Sequence, residues 1–242
     1  MLSKKEIKDI QSLFHKNNRE VNELFIAEGP KIVTELLAER KIIVRKIYAL
    51  TTWLKENDTR KIESIAITEE ELIKISQSKS PNQVLAVVEK IKWPPFPILK
   101  KTISLALDGI QDPGNLGTII RLADWFGIKQ IFCSPNCAAI YNSKVIQSSM
   151  GSVARVQVEY VELDKLLKEN SSIKVYAATL EGKDVTKFKK LTEGIILIGN
   201  ESKGIQKELI AVATDQIKIV GKGKAESLNA AVATGILLSH LT

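Results

Sequence analysis

The sequence predicts an α/β fold with a mostly parallel sheet, preceded by a small α/β domain. Short apolar runs alternate with helix-like patterns along the 242 residues, which is typical of a sheet covered by helices on both faces. The segment WPPFP at 93–97 has three prolines in four positions, and neither a helix nor a central strand continues through such a segment. We therefore expect a small domain at 1–92, a linker at 93–98 and a larger domain at 99–242.

The small domain begins with a helix and then alternates. Ser3-Lys4-Lys5-Glu6 is a capping-box pattern that predicts a helix ending near His15, and Thr68 with Glu71 predicts a second capped helix at 68–77. The other predicted elements are, in order, strand 23–29, helix 30–40, strand 43–50, helix 51–57, strand 63–68 and strand 83–90.

The larger domain has more apolar strands. They are predicted at 103–110, 130–134, 156–161, 174–180, 194–200 and 215–220. Helices are predicted at 117–126, 144–153, 164–169, 206–212 and 227–241. In parallel sheets of this kind, ligands bind beyond the carboxyl ends of the strands, so the loops at those ends are the place to look for a site.

Composition narrows the class of protein. The chain is 44% hydrophobic and 26% charged, as in soluble globular proteins, and it has no apolar run of about 18 residues and no secretory leader. A cytoplasmic protein with no membrane partner is expected. The net charge of +7 suits a polyanion such as RNA without establishing it. Cys133 and Cys137 are too few for a zinc site, so we expect reduced, partly buried thiols and no metal.

The first candidate loop, DPGNLGTIIR, follows strand 103–110. Asn115 is predicted to cap the next helix, and Gly117 permits close backbone approach. Arg121 follows about one turn later, where a guanidinium beside a helix N-terminus attracts phosphate. The alternative is an ordinary helical arginine whose side chain extends into solvent.

The second candidate loop, LIGNESKGI, follows strand 194–200. Gly199 lets a ligand lie against the backbone, and Gly204 supplies a second flexible position. Between them, Asn200 and Glu201 add polar groups, and Glu201 can accept hydrogen bonds from an amine, a hydroxyl or Arg121. The alternative is a polar turn after a core strand.

The third candidate loop ends at the helix SLNAAVATGILL. Ser227 is predicted as its N-cap, with Asn229 inside the helix. The alternative is a capped, tightly packed helix. Taken together, the three loops predict a pocket for a nucleoside-type cofactor. A dinucleotide-dependent oxidoreductase is disfavoured, because DPGNLGT is not a GxGxxG opening.

These motifs resemble the SpoU (TrmH-type) family of the SPOUT superfamily of RNA ribose methyltransferases. The likeness covers nearly the whole chain, including the central segment 144–158 and the small RNA-binding domain suggested by LFIAEGPKIV and PNQVLAVV. The matching positions are Asn115, Gly117 and Arg121 in the first motif, Gly199, Glu201 and Gly204 in the second, and Ser227, Leu228 and Asn229 in the third. The third motif departs from the family at Ile219-Val220-Gly221, where Ile-Pro-Met is usual, and at Ala231, where serine is common.

The resemblance implies a C-terminal trefoil knot, a homodimer, and S-adenosylmethionine as cofactor. The residues that it places around the cofactor are Thr179, Leu180, Gly199, Asn200, Gly204, Ile219 and Leu228. The implied reaction is methylation of a ribose 2′-hydroxyl in structured RNA, with rRNA favoured over tRNA. The alternatives are a tRNA ribose methyltransferase and a non-catalytic RNA-binding protein on the same scaffold.

The resemblance also implies roles for the polar residues. For Arg121 it implies activation of the hydroxyl. Because a guanidinium keeps its proton at neutral pH and is a poor base, we expect Arg121 instead to orient the hydroxyl and the adjacent phosphate. Asn115 and Asn229 are expected to hold Arg121 and the ribose, and Glu201 to fix that network. Ser227 is expected to cap the last helix and touch the substrate.

Overall fold

The computed structural model describes residues 1–94 and 99–242, so the predicted linker lies largely outside the described residues. The helices are α1 (Lys4–Ser12), α2 (Lys16–Asn22), α3 (Pro30–Ala38), α4 (Thr51–Glu56), α5 (Glu69–Ile75), α6 (Pro113–Trp125), α7 (Ser143–Ser149), α8 (Leu163–Glu169), α9 (Lys207–Ala211) and α10 (Ala230–Leu241). The strands are β1 (Leu24–Glu28), β2 (Val44–Ala49), β3 (Glu63–Ala66), β4 (Val84–Glu89), β5 (Ile103–Asp108), β6 (Gln130–Cys133), β7 (Gln157–Tyr160), β8 (Val175–Asp184), β9 (Gly194–Gly199) and β10 (Asp215–Lys218). None of the described helices is long and apolar enough to cross a membrane.

The chain forms two compact units. The first contains Met1–Trp93 together with Tyr141–Ala154, and the second contains Pro94–Ile140 together with Arg155–Thr242. A segment from the middle of the sequence, which includes α7, therefore packs with the N-terminal residues.

The first unit has a four-stranded sheet in the order β1-β4-β2-β3. Strand β4 is antiparallel to β1 and β2, whereas β3 is parallel to β2. Both predicted capping boxes are confirmed. The Ser3 hydroxyl accepts from the Glu6 N–H at 3.1 Å, and the Thr68 hydroxyl accepts from the Glu71 N–H at 3.2 Å, with each glutamate bonded back to the cap.

The predicted helix to His15 was too long, and α2 was not predicted. Helix α1 ends at Ser12, and α2 begins at Lys16. The turn between them is held by Arg19, whose buried guanidinium donates to the carbonyls of Leu13 (2.9 Å) and Phe14 (2.8 Å). Arg19 lies in a polar stretch of sequence without hydrophobic periodicity, so nothing in the sequence indicated this contact.

The second unit has a six-stranded sheet in the order β10-β8-β9-β5-β6-β7, and every pairing is parallel. The predicted parallel sheet is confirmed. The central strands β5 and β9 are buried almost throughout, which explains their uninterrupted apolar sequences.

Strands β8 and β10 pair in two separate places. Gln216 is opposite Ala177, but the next residue, Ile217, is opposite Lys183. Residues 178–182 therefore form a bulge in β8 between the two pairings. Gly182 lies so close to that strand that an added Cβ would be 2.6 Å from the backbone of Gln216 and Ile217.

Three predicted helix boundaries between residues 99 and 242 were wrong. Helix α6 begins at Pro113, not at Gly117, because Asp112 rather than Asn115 is its N-cap. Helix α10 begins at Ala230, and Asn229 rather than Ser227 caps it. The predicted helix 144–153 breaks after Ser149, where Met150 (φ +51°) and Gly151 (φ +91°) adopt left-handed conformations before a short 3₁₀ helix.

Candidate active site

Strands β5 and β9 are neighbours at the point where the order of the sheet reverses. The chain proceeds from β5 through β6 to β7 on one side, whereas β8, β9 and β10 occupy the other. The last residues of the two strands, Asp108 and Gly199, are directly opposite each other. The loops that follow them therefore leave the sheet together, at the edge where ligands bind in parallel α/β sheets.

The loop after β5 is held by hydrogen bonds to the loop after β6. Gly109 has φ +69°, and its N–H donates to the Ser134 hydroxyl at 2.8 Å. The Ile110 N–H donates to the Cys137 sulfur at 3.2 Å. Asp112 then accepts the N–H of Asn115 at 2.8 Å, so the Asn115 side chain is not used for capping and remains available to other loops.

The loop after β9 folds back on itself and is joined to the first. The Asn200 side chain donates to the Gly109 carbonyl at 2.8 Å and accepts from the N–H groups of Ser202 (2.9 Å) and Lys203 (3.1 Å). Asn200 and Gly204 also exchange backbone hydrogen bonds. A Cβ on Gly199 would collide with the returning backbone at Gly204, so the chain itself requires this glycine.

The buried carboxylate of Asp108 anchors the far end of the same loop. It accepts the Gln206 N–H at 2.8 Å and the Gln206 side-chain amide at 2.7 Å. We did not predict either residue as part of the site. The signal was present in the sequence, because Asp108 is the one charged residue at the end of the apolar strand ISLALD.

A chain of side-chain hydrogen bonds joins all three predicted loops. The Asn115 amide donates to Glu201, and the Asn229 amide donates to the Asn115 side-chain oxygen at 2.9 Å. Asn229 also accepts from the N–H groups of Ala231 and Val232 at the start of α10. Asn115, Glu201 and Asn229, far apart in sequence, thus form one polar cluster.

Arg121 and Ser227 are not bonded to this cluster. Arg121 is exposed on α6, and it makes no hydrogen bond or ion pair with the residues that the structure describes. Ser227 is exposed in the loop before α10. The predicted contacts of these two residues with the substrate stay predictions. The predicted capping of the last helix by Ser227 was wrong, because Asn229 is the cap.

The residues predicted to hold a cofactor lie within β8, at the end of β9 and in the loop after it, directly after β10, and before α10. Thr179 donates to the side chain of Gln216 at 3.2 Å, and Ile219 is half-buried. The apolar side chains of Leu180 and Leu228 are 74% and 44% exposed. Within the described part of the chain, the backbone of residues 220–228 makes no hydrogen bond. The two leucines can pack against the face of a flat ring, and the free backbone groups can form hydrogen bonds with its polar edge.

Both cysteines are free, as predicted, and both are buried. The neighbouring Cys137 thiol and burial raise the pKa of Cys133 well above its usual value. The Cys133 thiol lowers the pKa of Cys137 to about 7, assisted by the Ser134 hydroxyl and by the N–H of Ile110. Among residues 1–94 and 99–242, no cluster of three His, Cys, Asp or Glu side chains could hold a metal ion.

A parallel α/β unit with these three joined loops defines the class of RNA methyltransferases that the motifs indicated. Residues 102–239 match the model of the SpoU rRNA methylase family, which covers more than half of the chain, and residues 4–86 match the MRM3-like substrate binding domain. The chain belongs to the SpoU rRNA methylase family.

Known relatives align over nearly the full length. The 23S rRNA (guanosine(2553)-2′-O)-methyltransferase RlmP of Bacillus subtilis is 28% identical over 98% of this chain and 95% of its own. A TrmH-family protein from Porphyromonas gingivalis has a similar structure, with 35% identity and a TM-score of 0.87 over 99% of this chain and 98% of that one. An rRNA methyltransferase from Sinorhizobium meliloti, solved with S-adenosylmethionine bound, has 27% identity and a TM-score of 0.87 over 99% and 95% of the two chains.

Proposed function

We propose that this protein transfers a methyl group from S-adenosylmethionine to a ribose 2′-hydroxyl of ribosomal RNA. The observation that carries the proposal is the hydrogen-bonded cluster of Asn115, Glu201 and Asn229, which joins the three family motifs at the carboxyl edge of a parallel sheet. Membership of the SpoU rRNA methylase family supports the same reaction.

The cofactor would bind against the exposed apolar side chains and free backbone groups of β8 and of the segment between β10 and α10. Leu180 and Leu228 would contact the adenine ring, and the backbone of 220–228 would bond to its edge and to the ribose. The predicted contacts with Thr179, Gly199, Asn200, Gly204 and Ile219 belong to the same proposal. When bound, S-adenosylmethionine supplies a methyl group activated by its positively charged sulfur.

The protein's own contribution is positioning. Arg121 would donate to the 2′-oxygen and the neighbouring phosphate, since its side chain is exposed and has no competing partner among the described residues. The Asn115–Glu201 and Asn115–Asn229 bonds fix the loops on which the ribose rests. Ser227, exposed before α10, would touch the substrate.

Ribosomal RNA is the substrate that we infer. The Bacillus subtilis relative acts on 23S rRNA, and the match to a substrate binding domain over 4–86 supports RNA binding by residues 1–92, with methyl transfer by residues 99–242. We therefore also propose that this protein works in the cytoplasm, where bacterial rRNA is modified. The net charge of +7 favours contact with the phosphate backbone.

The test is a methyl-transfer assay on separated RNA fractions. The purified protein and labelled S-adenosylmethionine are incubated with rRNA and with tRNA from a strain that lacks the gene, and the modified ribose is then mapped. We expect one 2′-O-methylated nucleotide in rRNA. Methylation confined to tRNA would replace the proposed substrate, and binding of RNA without any transfer would indicate a non-catalytic protein.

We also propose that the protein is a homodimer. Trp125 at the end of α6 is 83% exposed and Val232 on α10 is 51% exposed, although both helices belong to the same unit and pack on each other. Exposed aromatic and aliphatic side chains on adjacent helices are typical of a subunit interface. Trp125→Glu should convert the dimer to a monomer in analytical ultracentrifugation. A monomeric wild-type protein would contradict the proposal.

We propose that the C-terminal part of the chain forms the trefoil knot implied by the family resemblance. The shift in register between β8 and β10 lies in this part of the chain and is compatible with the proposal.

A further inference from the structure

The first unit contains a cavity of about 190 Å³ that the proposed reaction does not use. It is lined by β1, α3, the turn after α5, and α7, all within this unit. Its apolar wall is made by Ile26, Ile32 and Ile146, each more than nine-tenths buried. Binding pockets for drug-sized molecules start near 300 Å³, so this smaller cavity suits a ligand the size of one ring or of two fused rings.

A carboxylate faces the cavity from the end of β1. One oxygen of Glu28 accepts the Gln77 N–H at 3.1 Å, and the other accepts the Ser76 hydroxyl. A carboxylate has about four lone-pair positions, so Glu28 can accept two further hydrogen bonds in parallel. The two existing bonds hold the group in place for them.

The opening of the cavity is polar and carries a positive charge. Lys144 and Gln147 of α7 are exposed at its edge, and Gln77 and Ser78 lie across from them. An exposed lysine beside a pocket of this size can reach a phosphate attached to a bound nucleoside.

We propose that this cavity binds the base of an unpaired guanosine in the RNA substrate. The inference rests on the proposed function, because it takes RNA as the ligand. Guanine presents two adjacent donors, N1–H and the 2-amino group, to a carboxylate. Adenine and cytosine present one donor beside an acceptor, and uracil presents one donor between two acceptors. The isoleucines contact the ring faces, and Lys144 contacts the phosphate.

Binding of short labelled RNAs to the full-length protein tests the cavity. Fluorescence anisotropy is measured with UUUGUUU, with UUUAUUU, and with the inosine version, which lacks the 2-amino group. We expect guanosine to bind about tenfold more tightly than adenosine, with inosine between them. Glu28→Gln should abolish the preference, because one parallel acceptor becomes a donor. Lys144→Ala should weaken all three RNAs and keep their order, whereas Lys79→Ala, outside the cavity, should change little.

A second pair of variants tests the cavity in case Glu28→Gln does not fold. Ser78→Trp fills the cavity and should remove the preference, whereas Ser80→Trp, which does not line it, should keep it. Equal binding of guanosine and adenosine by the wild type would overturn the inference, as would a preference that survives both Glu28→Gln and Ser78→Trp. Methyl transfer to rRNA without a guanosine preference refutes only the cavity, and the preference without transfer to any RNA refutes only the proposed function.

Discussion

Both polar atoms of the Asn115 amide are used to hold loops that lie far away in sequence. The nitrogen donates to Glu201 and the oxygen accepts from Asn229, so the amide has a single orientation. Arg121, almost two turns further along α6, has the opposite character, since it is exposed and unbonded within the described part of the chain. On one helix, a hydrogen-bonded asparagine holds the loops of the site, and an exposed guanidinium almost two turns away would meet the substrate.

Arg121→Ala should therefore affect catalysis rather than folding. We expect methyl transfer to rRNA to fall by about a hundredfold or more, the scale at which one lost electrostatic contact slows a reaction. The melting temperature should stay within a few degrees of the wild type, because no intramolecular bond is lost.

The matched control is Lys129→Ala, which removes an exposed cation of the same unit outside the motifs. Transfer by Arg121→Ala at nearly the wild-type rate, in a folded protein, would show that another group orients the hydroxyl.

The sequence analysis singled out the two asparagines that the structure joins, but it assigned them the wrong local roles. Asn115 and Asp112 can both cap α6, and Ser227 and Asn229 can both cap α10. Sequence alone does not choose between two such residues, because the choice depends on which side chain finds a partner on another loop. Asn115 bonds to Glu201 and leaves the cap to Asp112.

At the scale of elements, strand positions followed from the sequence and strand order did not. Apolar runs such as GIILIGN located β9, and capping boxes located α1 and α5. Nothing local in the sequence makes β8 pair with β10 in two places, since that pairing depends on contacts between residues more than thirty positions apart. The trefoil knot is likewise expected from the family resemblance alone.

Gly182→Val should destabilise the protein, because Gly182 lies close against the backbone of β10. The new side chain would start 2.6 Å from the backbone of β10, and neither strand can move without breaking its pairing. We expect a loss of about 2 kcal/mol or more in urea unfolding, as for other overpacked sites.

Gly221→Val is the control, because the space around Gly221 is open and its backbone is not left-handed. Equal stability of the two variants would contradict the close approach at Gly182.

The capping box of α5 predicts a pH dependence. The Leu2 N–H, which donates to Glu71 at 2.6 Å, and the Thr68 N–H lower the pKa of Glu71 below its ordinary 4.5. The stabilisation by a carboxylate of lowered pKa is complete above pH 4.5 and is lost as pH falls through the folded-state pKa.

Glu71→Gln should therefore be less stable than the wild type in urea at neutral pH, and the difference should shrink at about pH 3. Glu70→Gln, on the exposed side of the same turn, should match the wild type at both values. A difference that does not change with pH would mean that packing, rather than charge, accounts for the loss.

At the scale of the whole molecule, Tyr141–Ala154 packs with the N-terminal residues, and this packing determines where the chain can be cut into parts that fold. Tyr141 stacks on Phe25 with ring centroids 4.7 Å apart, and its hydroxyl accepts the Ile91 N–H at 2.9 Å. Val145 and Ile146 of α7 are buried in the same unit. The family match over 102–239 therefore includes residues that need the N-terminal unit for their packing.

A protein truncated to residues 99–242 should aggregate or melt well below the full chain. Each exposed aliphatic side chain of α7 costs about 1.5–3 kcal/mol of lost burial. The double substitution Val145→Ser and Ile146→Ser should improve the solubility of the truncated protein and destabilise the full-length one. Thermal unfolding and light scattering measure both. A truncated protein as stable as the full chain would show that this segment packs elsewhere.

The excursion of residues 141–154 also constrains the order of events during translation. Domains usually fold in sequence as they leave the ribosome. Here the N-terminal ninety or so residues remain unfinished until Ala154 has left the exit tunnel, by which time β5, α6 and β6 are already outside. The nascent chain must therefore hold two incomplete cores at once, and a pause in synthesis while residues 141–154 are still inside the tunnel would expose both of them to chaperones and proteases.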